Sequence, residues 1–278
     1  MFKGRKLLIA TKHEKEKVIA PILEKQLGVK CYEDSNFDTD LLGTFTGEIE
    51  RKNDPITTAR SKCLMAMELA NCDLAVASEG SFGPHPSIYF IPANEEFLIF
   101  IDKKNDLEII VRELSIDTNF NGSEIKTEKE LDEFATHANF PSHGLILRKS
   151  KDDFSSIVKG ITNAEQLNTT YYNLINLYRS AYIETDMRAM YNPTRMKVIE
   201  LASIKLAEKI NTLCPSCQMP GFGITDSKQG LPCELCSFPT RGIYSHIFSC
   251  QKCSFSLEKE YPNGKQMEDP MYCDVCNP

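Results

Sequence analysis

Eight of the chain's eleven cysteines fall into four Cys-x-x-Cys pairs: Cys214/Cys217, Cys233/Cys236, Cys250/Cys253 and Cys273/Cys276. Two residues between cysteines make a tight knuckle that aims both sulfurs at one ion, and two knuckles complete a tetrahedral thiolate shell. The gaps within the first two pairs and within the last two both match zinc-ribbon spacing. The sequence therefore predicts two structural Zn2+ ions, with the knuckles paired sequentially, first with second and third with fourth. An interleaved pairing uses the same residues and stays open, and thiolate softness suits iron as well as zinc. Four thiolates leave no position for water, so the metal contributes folding energy and activates no nucleophile. Cysteines confined to tight pairs in the last quarter of the chain point to metal in a reducing compartment rather than to a disulfide framework.

A second set of residues has the makings of a phosphate site. Thr11, His13 and Lys15 stand in a polar TKHEKEK run, Arg60 and Lys62 on a helical stretch, Glu79 in SEGSFGPHP, and Asp186, Arg188 and Arg195 in and after ETDMR. A hydroxyl, ammonium groups and N–H groups at a helix start neutralise phosphate, while carboxylates hold a hydrated Mg2+ that activates water. On this reading Lys15, Lys62 and Arg188 neutralise phosphate, Glu79 binds Mg2+ or orients the water, and Asp186 is a second metal ligand. Plainer readings compete. TKHEKEK also suits a solvated helix start, Glu79 a turn acceptor, and the Glu184 to Arg195 set an ion-paired connection between two helices. His85, His137 and His143 read as packing residues in loops, and Cys31, Cys63 and Cys72 as core thiols.

Elements must position these groups. Lys6 to Ala10 reads as a strand, and Val18, Ile19, Ile22, Leu23 and Leu27 recur at helical spacing until Gly28 stops the helix. Val29 to Tyr32 and Leu42 to Ile49 read as strands. Asn53 or Asp54 caps a helix with Pro55 at its first position, which Asn71 ends. Leu74 to Ala77 reads as a buried strand opening into a Gly- and Pro-rich loop at a sheet edge, where α/β sites lie. Phe97 to Asp102 and Leu107 to Leu114 form a hairpin across KKND; Glu128 to His137 is helical and Gly144 to Arg148 a strand. Asn163 to Tyr182 has helical period, and Pro193 to Ile210 makes a last helix. The fold class is α/β, a mixed sheet flanked by helices with a small C-terminal tandem zinc-ribbon module, and the domains divide as 1–211 and 212–278.

IATKHEKEK, TARSKC and AVASEGSFG resemble, in order and approximate spacing over residues 6 to 80, the inosine-triphosphatase superfamily with its Maf-like and non-canonical-purine-phosphatase branches. The resemblance implies that Thr11 and Lys15 are phosphate-loop residues, Lys62 a helix-borne phosphate contact, and Glu79 a magnesium ligand or base-activating carboxylate. The chain departs from that pattern at His13, which replaces Asn, at Lys15, which comes one place early, and at Ser78-Glu79, which replaces an acidic pair. The whole chain also resembles an uncharacterised family of bacterial proteins that joins this α/β domain to a terminal double ribbon. That likeness implies architecture and no activity.

The formal charge of -7 over 278 residues gives no overall attraction to nucleic acid or anionic lipid. From Cys214 onward there are five Lys/Arg against seven Asp/Glu, and the aromatics do not alternate with basic residues as a stacking platform requires. No apolar run approaches membrane-spanning length. The expectation is a cytoplasmic Mg2+-dependent hydrolase of a nucleotide or related phosphorylated metabolite. The alternative is a regulatory protein whose ribbons dock a nucleic acid or a protein.

Overall fold

The computed structural model describes residues 1–34 and 54–278. The strand expected over Leu42 to Ile49 lies outside the described residues. The chain divides into two compact units, Met1–Ala207 and Glu208–Pro278. Among the described residues no helix is long and apolar enough to cross a membrane.

The first unit is mixed α/β, as its alternating patterns predict. β1 (Lys6–Ile9) leads into α1 (Glu16–Leu27), which buries Ile19, Leu23 and Leu27 and ends at Gly28 with φ +67°. Only a residue that tolerates this left-handed conformation can stop the helix there without strain. β2 (Lys30–Tyr32) follows. α2 (Pro55–Leu69) starts where Asp54 accepts hydrogen bonds from the Ile56 and Thr57 N–H groups, with Pro55 in the first turn. Then come β3 (Leu74–Pro84), β4 (Pro92–Asp102) and β5 (Leu107–Ser115). Their sheet has the order β2-β1-β3-β4-β5. β1 runs parallel to both β2 and β3, and the rest is antiparallel. α2 covers one face through Ala59, Cys63, Ala66 and Met67.

A second sheet stands in this unit beside the mixed one. It contains β6 (Gly122–Ile125), β7 (Leu145–Arg148), β8 (Val158–Ile161) and β9 (Ala181–Thr185), in the antiparallel order β6-β9-β7-β8. α3 (Glu128–His137) and α4 (Ala164–Tyr178) close its core with Leu131, Phe134, Leu167, Tyr171 and Leu174. The helix read through Tyr182 thus stops at Tyr178. Arg179 takes a left-handed cap at φ +66°, and Tyr182 belongs to β9, because Ala181 and Ile183 alternate inward with period two. α5 (Pro193–Asn211) ends the α/β part of the chain.

Two further corrections bear on the site. The SEGSFGPHP stretch is not a loop after a short strand. β3 runs on to Pro84 and pairs with β4 residue by residue, from Leu74↔Asp102 to Pro84↔Pro92. And the ETDMR stretch does not join two helices: Glu184 and Thr185 are in β9, paired with β6 and β7.

The second unit holds an antiparallel sheet of β10 (Gly223–Gln229), β11 (Ile243–Ser249) and β12 (Ser256–Glu260). Its apolar interior is small: Phe222 with Phe248 and Phe255, packed beside cysteine sulfurs. So small a core leaves room for metal to supply the stability.

Candidate functional site

Each Cys-x-x-Cys pair folds as the same knuckle. The second residue after its first cysteine is followed by a return of the chain in which Gln218, Ser237 and Asn277 donate N–H to the carbonyls of Cys214, Cys233 and Cys273, and Ser254 to that of Cys250, all at 2.9–3.0 Å. Gln218, Ser237 and Ser254 hold φ near +60° to make that turn. Backbone N–H groups also face the sulfurs. Those of Cys276 and Val275 bring the Cys273 thiol down to about 7. At Cys250 burial pushes the other way, but the N–H groups of Cys253 and Lys252 still bring it to about 7. Donors aimed at Cys250 and Cys273 favour thiolate there, the form that binds metal, while Cys217, despite the Met219 N–H, and Cys276, beside the Cys236 sulfur, are pushed up to about 12.

Among the described residues two groups of four ligands form: Cys214, Cys217, Cys250 and Cys253, and Cys233, Cys236, Cys273 and Cys276. The sulfurs of Cys214 and Cys253 are 3.7 Å apart, Cys217 and Cys250 3.6 Å, Cys233 and Cys276 3.9 Å, and Cys236 and Cys273 3.6 Å. A tetrahedron with metal–sulfur bonds of about 2.3 Å has edges of about 3.8 Å, so both sets fit a four-coordinate ion. They are too far apart for a disulfide, which needs about 2.05 Å. The sequential pairing is therefore corrected to an interleaved one, first knuckle with third and second with fourth. The strands impose it. β10 leaves the first knuckle and β11 returns antiparallel with Gly223 opposite Ser249, which delivers Cys250 beside the first pair. Hydrogen bonds from Glu268 N–H to the Pro232 carbonyl and from Glu234 N–H to the Glu268 carbonyl then hold the chain entering the fourth knuckle against the second.

In the first unit the carboxyl ends of the parallel strands β1 and β3 bring several of the expected residues together. His13 and Glu14 both take left-handed conformations, φ +68° and +61°. Such residues each cost about 1 kcal/mol or more, and they turn the chain so that Lys15 points under the strand ends. The Lys15 ammonium donates to Ser78 Oγ at 3.0 Å and reaches the Ser78 carbonyl at 3.4 Å. Thr11 Oγ1 stands 3.4 Å from the same Ser78 hydroxyl. Next along β3, Glu79 is ion-paired with Lys62 from α2. Beyond it, Arg195 from α5 donates through Nε to Glu96 of β4 at 2.6 Å and through Nη1 to the Met187 carbonyl. Lys15, Lys62, Ser78, Glu79, Glu96 and Arg195 are each at most 9 % exposed.

Lys15 feels all of these charges. Burial, and then the neighbouring Arg195, lower its pKa to about 7, against the pull of Glu96 and Glu79. A lysine there gives or takes a proton at neutral pH, and a phosphate brought beside it would restore its charge.

The other expected residues lie elsewhere. Arg60, two places before Lys62 and so on another side of α2, is held bidentately by Glu108 of β5. Asp186 is fully buried, takes the Arg188 guanidinium at 2.5 Å and accepts the Gly160 N–H at 3.0 Å, while Arg188 also lies over the Tyr191 ring. His13 lines a cavity of about 410 Å3 at the end of β1, together with Thr11, Lys12, Glu16, Glu33 and Asp34. Sequence reasoning missed Glu96. Its trace in the sequence is the polar Asn94-Glu95-Glu96 step ahead of an apolar run, with Asn94 and Glu96 two apart and both buried on β4 while Glu95 between them is not.

A family model matches residues 62–278. The chain belongs to that family, described as Domain of unknown function (DUF6671). The DUF6671 match takes in Lys62, Glu79, Glu96, Arg195 and all eight paired cysteines, and begins after Thr11, His13, Lys15 and Arg60. No curated protein matches the chain. The inosine-triphosphatase likeness gains nothing from these comparisons and stays a resemblance of residues 6 to 80.

Proposed function

We propose that the first unit binds a small phosphorylated metabolite, with a nucleotide as the leading case, in the cavity at the end of β1, and hydrolyses it. The observation that carries this reading is the convergence of Thr11, Lys15 and Lys62 on the Ser78-Glu79 segment of β3, at the edge where α/β sheets take ligands. Three basic side chains, Lys15, Lys62 and Arg195, meet two carboxylates, Glu79 and Glu96, so an anion beside Lys15 would balance the cluster's charge. Thr11 opens on both the cavity and the cluster.

The carboxylates limit where Mg2+ fits. Glu79 is engaged by Lys62 and Asp186 by Arg188, so neither offers a free ligand. Glu16 and Glu33 line the cavity, and the Glu33 carboxyl is raised first by burial and then by Glu16. Two carboxylates leaning on each other favour a cation between them, and these two would hold a Mg2+ arriving with a polyphosphate. Such an ion supplies charge neutralisation and an activated water. Within the chain, Lys15 holds the proton exchanged near neutral pH, Thr11 and Lys15 orient phosphate, and Glu79 keeps Lys62 in place. The test is a panel of standard and damaged nucleoside triphosphates with Mg2+, assayed for release of phosphate and pyrophosphate. Turnover is expected on at least one, reduced about 100-fold or more in Lys15→Met. Absence of nucleotide binding at millimolar levels discards the reading.

A second reading has its own observation: Leu235, Phe238, Met271 and Val275 are exposed around the second cysteine cluster. The zinc-binding unit would then dock a partner protein, its acidic balance disfavouring nucleic acid. Salt-dependent retention of RNA or DNA by the chain would reverse that preference.

A further inference from the structure

A second cavity in the first unit, of about 750 Å3, is lined by residues of the β3–β4 turn, the β5–β6 connection, α3, β7 and β9. Two features of its wall carry a cost that a ligand would remove. On the turn, Tyr89 and Phe90 are 77 % and 88 % exposed, two neighbouring aromatic faces left in water. On β7, the Arg148 side chain is only 6 % exposed, yet its Nε and Nη1 have no hydrogen-bond partner. Its Nη2 donates to Glu184 at 2.8 Å, and the rings of Phe154 and Tyr182 flank the guanidinium, centred 4.6 and 5.2 Å from its carbon. A guanidinium always carries its charge and donates through all its N–H groups. Leaving two of its nitrogens buried without acceptors costs stability unless a ligand supplies them.

The partner already present, Glu184, engages only Nη2. Burial, with Asp186 adding to it against Arg148, pushes the Glu184 carboxyl up. Lys151 and His137 add further donors to the wall. The chemistry is therefore cationic at the inner end and aromatic at the rim. The cavity is also separate from the Ser78 cluster: Phe82 packs on the wall residue Phe120 at 5.6 Å, and Arg195 lies against Phe82 at 5.1 Å. The two rings thus stand between the cavity and the Arg195–Glu96 pair.

We propose that this cavity is a second ligand site that takes a small organic anion, with a phosphate or carboxylate on Arg148 and a flat aromatic body against Tyr89 and Phe90. The site does not depend on hydrolysis at the Ser78 cluster. The test is calorimetric titration of the full, metal-loaded chain with phenyl phosphate, benzoate and inorganic phosphate. One of the two aromatic acids should saturate a single site, at least about ten-fold more tightly than inorganic phosphate. Arg148→Met should weaken that binding about ten-fold or more, Tyr89→Ala with Phe90→Ala should weaken it several-fold, and Lys15→Met should leave it unchanged. If Arg148→Met does not fold, the aromatic double variant, whose side chains project into solvent, gives the answer alone. The proposal is overturned if neither acid saturates below about 10 mM, if the variants bind like the unaltered chain, or if Lys15→Met abolishes the binding and so moves it to the other cluster.

Discussion

Lys62 and Glu79 have each given up almost all contact with water to meet one another, so removing one strands the charge of the other. Lys62→Met is expected to cost about 3–5 kcal/mol in urea unfolding, and Lys62→Met with Glu79→Gln to recover most of it. A single variant as stable as the unaltered chain would mean that the pair is solvated. Lys15 behaves differently because its hydrogen-bond partners among the described residues are the Ser78 Oγ and carbonyl, not a carboxylate. Its pKa falls from 10.5 to about 7 on folding. Below pH 7 the amine is charged in both states and the burial penalty is complete. Between pH 7 and 10 the folded chain keeps it neutral while the unfolded chain binds a proton, so stability rises with pH by up to about 1.4 kcal/mol per unit. Unfolding at pH 6, 7, 8 and 9 should show unaltered protein gaining on Lys15→Met above pH 7; parallel profiles would remove Lys15 from the account.

The long β3–β4 ladder is the element that makes the cluster, and Gly80 is the point where it is tightest. A Cβ there would lie 2.6 Å from Glu96 Oε1 and against the Arg195 guanidinium. Both partners are fully buried and bound to each other, so neither can swing away. Gly80→Ala should cost about 1–3 kcal/mol, whereas Gly83→Ala on the same strand, with open space around its Cβ, should fall within about 0.5 kcal/mol of zero. Thermal unfolding of the two variants side by side checks this, and equal losses would mean that chain entropy and not crowding sets the effect. The same ladder explains why a Gly- and Pro-containing stretch is strand: glycine marks a close approach of charged side chains here, which a local reading takes for a turn.

Across the whole molecule the metal clusters give the sharpest test. Cys214→Ser and Cys250→Ser should each remove one of two bound zinc ions, and the double variant should remove no more, since both belong to one cluster. Cys214→Ser with Cys233→Ser should remove both. Sequential pairing would exchange those two results, and zinc content measured per chain distinguishes them. Chelation should unfold Glu208–Pro278, where few apolar side chains are buried besides the Phe222 cluster, and leave the first unit's transition in place, since its two sheets bury their own cores.

The eight paired cysteines, their knuckles, the start of α2 at Pro55, the Gly28 stop and the bounds of α3 were all legible in the chain, because each is set within a window of a few residues. Thr11, Lys15, Lys62 and Glu79 were legible only as residue types in an order that suggests a shared site. Their convergence on Ser78 was not, nor was the part played by Glu96, whose partner Arg195 lies 99 residues away. β9 stayed hidden behind the helical period of α4, since its alternation has meaning only when β6 and β7 flank it. The knuckle pairing was undetermined for the same cause: all four pairs are locally alike, and only the return of β11 along β10 places the third beside the first. Local chemistry fixes what a residue can do, and long-range pairing of strands fixes which residues do it together.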